Sequence, residues 1–114
     1  MRRDCQRLHD IVDALDWVMI AVRGRTEDQF TGDEMLRYAV AQQLTVVGEA
    51  AARLSSELIQ KYPAIPWADI VGLRNILVHQ YFGVYWPLVW QTATDDVPVV
   101  LERVREILQQ ELPE

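Results

Sequence analysis

Apolar residues recur at three- and four-residue steps along almost the whole chain, and this constrains the fold more than any other feature. Leu8, Ile11, Val12, Leu15, Val18, Met19 and Val22 form one such stripe. Leu36, Val40, Leu44, Val47, Ala51 and Leu54 form a second. A third runs through Trp67, Ile70, Val71, Leu73, Ile76, Leu77 and Val78, and a fourth through Val99, Val100, Leu101, Val104, Ile107, Leu108 and Leu112. A helix turns about 100° per residue, so this spacing collects the apolar side chains on one face. No segment shows the every-second-residue alternation of a half-buried strand. The pattern predicts an all-α, up-and-down antiparallel bundle of four to five helices with short connections.

Punctuation between the stripes sets the expected boundaries. The first helix spans roughly Arg3 to Arg23. Gly24 to Gly32 reads as a break. Thr31 followed by Glu34 has the spacing of a capping box, which starts the second helix near Gly32 and carries it to about Leu54. Ala39, Val46, Gly48, Ala50 and Ala52 widen its apolar surface, so this helix needs more than one neighbour, a second subunit among the options. Gly48 is expensive in a helix, by about 1 kcal/mol relative to alanine, and implies a close helix contact; Gly72 suggests the same. Ser55 and Ser56 cap a short continuation to Tyr62, which Pro63 ends. Pro66 starts the third main helix. A Phe82-Gly83 turn follows, Pro87 fits the first turn of a last helix, and Pro98 is expected to kink or split that helix.

With 114 residues there is room for a single domain, residues 1–114, with one core. No apolar run reaches the roughly 18 residues of a membrane span. Arg2 and Arg3 are followed by polar residues rather than the apolar core of a signal peptide. Cys5, the single cysteine, has no internal disulfide partner, which fits a reducing cytoplasm. No Cys/His cluster marks a metal site, and His9, beside Asp10 and Asp13, reads as a surface histidine. The formal net charge is −6, so a protein that coats nucleic acid through a basic surface is excluded. Any phosphate must be bound locally. The cations are ten arginines and Lys61, and the arginine fork suits phosphate and carboxylate pairing.

The chemistry concentrates in Gly72-Leu73-Arg74-Asn75-Ile76-Leu77-Val78-His79-Gln80-Tyr81-Phe82. This is an apolar helical run interrupted by an arginine, an asparagine and a histidine. Taking Arg74 as zero, Asn75 lies at about 100° and His79 at about 140° around the helix. Asn75 and His79 are an i,i+4 pair able to touch; Arg74 and His79 are not side by side. Arginine can hold two phosphate oxygens and offset transition-state charge, and histidine can move protons near neutral pH. In metal-independent RNA cleavage the 2′-hydroxyl is the internal nucleophile, with one base and one acid. A single histidine does not easily serve as both, whereas two copies across a two-fold axis can. Glu49, a carboxylate among small apolar residues, reads as a partner that orients Arg74, or as half of a purely structural ion pair.

The same residues carry a family resemblance. The Arg74-x4-His79-x-Tyr81 pattern resembles the signature of the HepT-like toxins of the HEPN ribonuclease superfamily. Val47-Gly48-Glu49-Ala50-Ala51, Pro66-Trp67, Gly72-Leu73-Arg74-Asn75, His79-Gln80-Tyr81-Phe82-Gly83 and Val89-Trp90 agree with it, from about Leu8 to Leu112. One departure is Tyr85, where relatives often carry an acidic residue. The resemblance implies a HEPN-like fold and a homodimer with its site at the interface. It also implies a cytoplasmic, cofactor-free and metal-free endoribonuclease acting on tRNA or mRNA as the toxin of a toxin–antitoxin pair. Arg74 and His79 would be catalytic, with Asn75 and Glu49 binding or orienting. The implied antitoxin is a nucleotidyltransferase of the MntA type that silences the toxin by transferring AMP onto Tyr81.

Two other classes fit the residues. One is a non-catalytic HEPN-like dimer that binds a nucleotide or a nucleotidyltransferase. The other is a structural helical dimer in which the wide apolar second helix is the working surface.

Overall fold

A computed structural model describes residues 2–111, with the backbone alone for Arg2 and Tyr81. Leu112, at the end of the fourth stripe, lies outside the described residues. Among those described, every regular element is helical: α1 (Arg2–Val22), α2 (Glu27–Thr31), α3 (Glu34–Ala52), α4 (Ser56–Lys61), α5 (Trp67–His79), α6 (Trp86–Gln91) and α7 (Val97–Glu111), with a 3-10 turn at Tyr81–Gly83 and a π-helical turn at Thr92–Asp96.

The apolar stripes explain the packing. Leu8, Ile11, Leu15 and Val18 of α1 meet Val40, Leu44, Val47 and Ala51 of α3 and Leu101, Val104 and Ile107 of α7 in one core. The directions alternate. Asp4 at the start of α1 accepts hydrogen bonds from the Ser55 N–H (2.9 Å) and hydroxyl (2.6 Å), just past the end of α3. Arg37 near the start of α3 stacks over Trp86, just beyond α5, at 5.3 Å. Glu111 at the end of α7 meets Lys61 at 2.8 Å and the Tyr62 hydroxyl at 2.5 Å, just ahead of α5. The bundle therefore runs up, down, up, down through α1, α3, α5 and α6–α7. The wide apolar surface of α3 is covered from within the chain, by α1 on one side and α5 on the other.

Three local expectations change. The capping box lies earlier than Thr31–Glu34: Thr26 accepts from the Gln29 N–H, and the Gln29 side chain accepts from the Thr26 N–H. That box starts α2 inside the segment read as a break. Thr31 ends α2 instead, with its hydroxyl donating to the Asp28 carbonyl, and α3 is capped by Asp33 accepting from the Leu36 N–H at 3.0 Å. The reason for α2 is Phe30, which is fully buried and packs on Trp86 and Trp90 with ring centroids 6.3 and 5.4 Å away. Pro98 does not split the last helix. The Val97 N–H bonds to the Thr92 carbonyl five residues back, and this wider turn relieves the contact a proline ring makes with the preceding turn. Helix continues from Trp86 to Glu111. The Ser55 cap and the short α4 are as expected, with the Ser55 hydroxyl accepting from the Leu58 N–H.

Candidate functional site

The site is built on the crossing of α3 and α5. Gly48 sits where the helices approach most closely. A Cβ placed on it would overlap the Cβ of Arg74 and stand 2.8 Å from its Cγ and 3.2 Å from the Ile70 carbonyl oxygen. The glycine lets α5 lie against α3 so that Arg74 extends along the neighbouring residue, Glu49. Gly72 has no such role: the space around its Cα is open.

Arg74 is half-buried and held on two sides. Its Nε and Nη2 both donate to Glu49 Oε1, at 2.9 and 2.5 Å. Its Nη1 donates to Asn75 Oδ1 at 2.6 Å. A guanidinium has five N–H donors; these three bonds leave two, one on each terminal nitrogen, directed elsewhere. Arg74 is thus fixed in position while keeping donors for an anion. Its hydrogen bonds are the main reason Glu49 titrates below the ordinary glutamate range. Desolvation opposes that shift, and the charges of Arg74 and Arg53 add to it. Near neutral pH Glu49 is therefore ionised, as a residue orienting an arginine must be. Arg53 is not among the residues the sequence singles out, although its spacing of four from Glu49, at the C-terminal end of α3, is a signal that the two charges are neighbours.

Asn75, which the helical spacing would also let touch His79, pairs with Arg74: the amide oxygen turns to the stronger, charged donor. The structure brings Glu49, Arg74 and Asn75 together and leaves His79 apart. His79 is the last residue of α5, exposed, and without a hydrogen bond from its ring among the described residues. On the helical wheel it falls between Asn75, at about 100° from Arg74, and Ile76, at about 200°. The helix ends there, with the Gln80 N–H bonded to the Ile76 carbonyl at 2.9 Å, and Tyr81 begins the 3-10 turn. The Tyr81 side chain lies outside the described residues.

Ile76 opens a second feature. Of the residues expected to bury α5, only Trp67 and Leu77 are fully buried, and Ile76 and Val78 remain 43% and 45% exposed. Leu73 and Ile76 line a mostly apolar groove of about 770 Å³ that α5 forms with α6 and α7, where Leu88 and Val99 are also half exposed. No element of the described chain covers it. An open apolar groove therefore lies along α5–α7.

The chain is similar to known proteins over most of its length. Residues 2–113 match the family described as ribonuclease HepT-like. A protein of Methanocaldococcus jannaschii named "Putative RNase" is 36% identical over 97 residues, covering 85% of this chain and 89% of that protein. A protein of Caldanaerobacter subterraneus, also named "Putative RNase", is 34% identical over 104 residues, covering 91% and 93%. A protein of Thermococcus cleftensis named "Probable ribonuclease HepT" is 31% identical over 91 residues, covering 80% and 83%. No solved structure matches the chain significantly.

Proposed function

Because the chain belongs to the HepT-like ribonuclease family, we propose that it is a metal-independent endoribonuclease working as a homodimer, with Arg74 and His79 of both copies lining one cleft. The observation that carries this reading is the Arg74 clamp. An arginine fixed by a carboxylate and an amide, with donors to spare, suits a phosphodiester whose charge grows in the transition state. His79 of one copy removes the proton of the RNA 2′-hydroxyl, whose oxygen attacks the adjacent phosphorus. The bond from phosphorus to the 5′-oxygen breaks, and His79 of the partner subunit protonates that oxygen. The products are a 2′,3′-cyclic phosphate and a free 5′-hydroxyl. The position of His79, on the exposed arc of α5 beside an uncovered apolar groove, supports a second copy at this face.

The reading extends to regulation. The chain acts as the toxin of a toxin–antitoxin pair in the cytoplasm. A nucleotidyltransferase antitoxin of the MntA type attaches AMP to Tyr81, two residues from His79. The added phosphate charge and bulk repel substrate phosphate and offer Arg74 a competing anion.

The test is cleavage of total RNA by unmodified protein in EDTA, with His79→Ala and Arg74→Ala alongside and folding checked by circular dichroism. Cleavage by the wild type alone supports the site. Three inert proteins, with intact mass showing Tyr81 free of adduct, would favour a non-catalytic dimer that binds a nucleotide or the nucleotidyltransferase. Equal cleavage by all three would overturn the site assignment.

A further inference from the structure

Glu49 belongs to two features at once. One of its oxygens holds Arg74, and the residue also lines a cleft of about 270 Å³ between α1 and α3. Gln42, Thr45 and Glu49 line the cleft at three- and four-residue steps along one face of α3, Arg53 follows just past the helix end, and Arg7 and Asp10 face them from α1. The Thr45 hydroxyl is bonded to the Ala41 carbonyl at 2.8 Å, and Asp10 accepts from the Gln6 amide at 3.2 Å. Its two guanidiniums are the uncommitted groups. Among the described residues neither Arg7 nor Arg53 makes a side-chain hydrogen bond or a close ion pair. Arg7 even buries its Nε without a partner. Arg37 also buries an Nε without a partner, but it donates through Nη1 to the Thr31 carbonyl and stacks on Trp86. Arg7 has no such engagement.

Charge points the same way. Around Glu49 stand Arg74, Arg53 and Arg7, against the carboxylates of Glu49 and Asp10. Glu49 is already neutralised by Arg74, so the cleft is locally positive on a protein of net charge −6. Two arginine forks with free donors beside a fixed carboxylate are matched by an anion with several acceptor oxygens.

We propose that Arg7 and Arg53 bind the phosphate adjacent to the scissile one in a single-stranded RNA, so that the strand runs from the α5 site into the α1–α3 cleft. This rests on the ribonuclease reading, but its test is separable from it. Binding of a fluorescein-labelled oligouridylate is followed by anisotropy over a salt titration, in a His79→Ala background that does not cut. Each lost phosphate contact lowers the slope of log K against log salt by about 0.7 for single strands. Because both arginines hold the same phosphate, the Arg7→Gln/Arg53→Gln double variant should lower it by about 0.7 and each single variant by part of that. Arg7→Lys and Arg53→Lys should recover most of the loss. Arg103→Gln, an exposed cation on the rim of the α5–α7 groove, controls for the general field. In the cleaving background, KM should rise more for a trinucleotide, which has a neighbouring phosphate, than for a dinucleoside monophosphate, which has none.

An unchanged slope in folded Arg53→Gln protein, or an equal fall in Arg103→Gln, overturns the subsite. A misfolded Arg7→Gln variant leaves Arg53→Gln to decide. If the wild type cuts no RNA yet the slope depends on Arg7 and Arg53, the phosphate subsite stands and the ribonuclease reading falls.

Discussion

The two ends of the Arg74–His79 run differ in how completely a single chain builds them. At Arg74 the helix is pressed against α3, Gly48 removes the side chain that would hold it off, and Glu49 and Asn75 fix the guanidinium. At His79 the helix is ending, the side chain is exposed, and no described neighbour bonds to its ring. In the roles proposed above, the half that would bind phosphate is preorganised within a single chain, and the half that would transfer protons is left open on the face that also exposes Ile76 and adjoins the uncovered groove. A rigid anion site with a loosely held histidine suits a centre completed by a second copy, since the histidine then takes its partners from the dimer and the substrate.

The largest effect should come from breaking either half. His79→Ala should lower cleavage by about 10²–10⁴-fold, the usual weight of a positioned acid or base. It should leave thermal stability nearly unchanged, because the side chain is exposed. Arg74→Ala should cost about 10²–10³-fold in cleavage, as expected for one transition-state charge contact. It should also change the α3–α5 crossing, because its stem packs on Gly48. Single-turnover rates beside melting curves separate the two behaviours. A His79→Ala protein that unfolds easily would show the histidine is structural, and the contrast between the halves would fail.

Next in size is Gly48→Ala. Helix propensity alone favours alanine by about 1 kcal/mol. Overpacking at a tight contact costs about 1–3 kcal/mol, and the atoms in the way are the Arg74 stem and a backbone carbonyl rather than a flexible tip. The clash should win. Urea unfolding should show a net loss of about 1 kcal/mol, with weakened RNA binding because Arg74 is displaced. The same substitution at Gly72 meets open space and should stabilise the protein instead, by up to about 1 kcal/mol.

These positions also show what the sequence could reveal. The all-α architecture followed from four apolar stripes, because burial repeats with the helical period. The Glu49–Arg74 pairing was legible because a carboxylate among small residues and an arginine in an apolar run each need a partner. Less legible was anything decided by contacts distant along the chain. Gly48 and Gly72 look alike in sequence, yet only one lies at a helix crossing. Phe30 sits in a polar, glycine-flanked segment, and its burial depends on Trp86 and Trp90 far along the chain. Asn75 could pair with His79 or with Arg74, and the choice depends on where Glu49 draws the guanidinium. Residue type alone does not place the α3 cap, because Thr31 and Asp33 are both good capping residues. Asp33→Ala should cost about 1 kcal/mol of stability in urea unfolding, and Thr31→Ala clearly less.

The smallest effect tests the clamp itself. Glu49 titrates below its ordinary value of 4.5, chiefly through its hydrogen bonds to Arg74. A carboxyl with a folded value lower than its unfolded one stabilises the fold above the unfolded value, and that contribution disappears as the pH falls through the folded value. The wild type should therefore exceed Glu49→Gln in urea midpoint at pH 7 and at pH 5, with the difference closing only below the ordinary glutamate range. Because Glu49 is partly exposed, the difference should be small and should shrink with added salt. A midpoint difference that does not change between pH 7 and strongly acidic solution would mean that Glu49 acts through shape rather than charge. Arg74 would then be positioned by the Gly48 crossing and Asn75 alone, and cleavage by Glu49→Gln should match the wild type. If the clamp is electrostatic, cleavage by Glu49→Gln at pH 7 falls by less than that of Arg74→Ala, because the arginine is still present but no longer aimed.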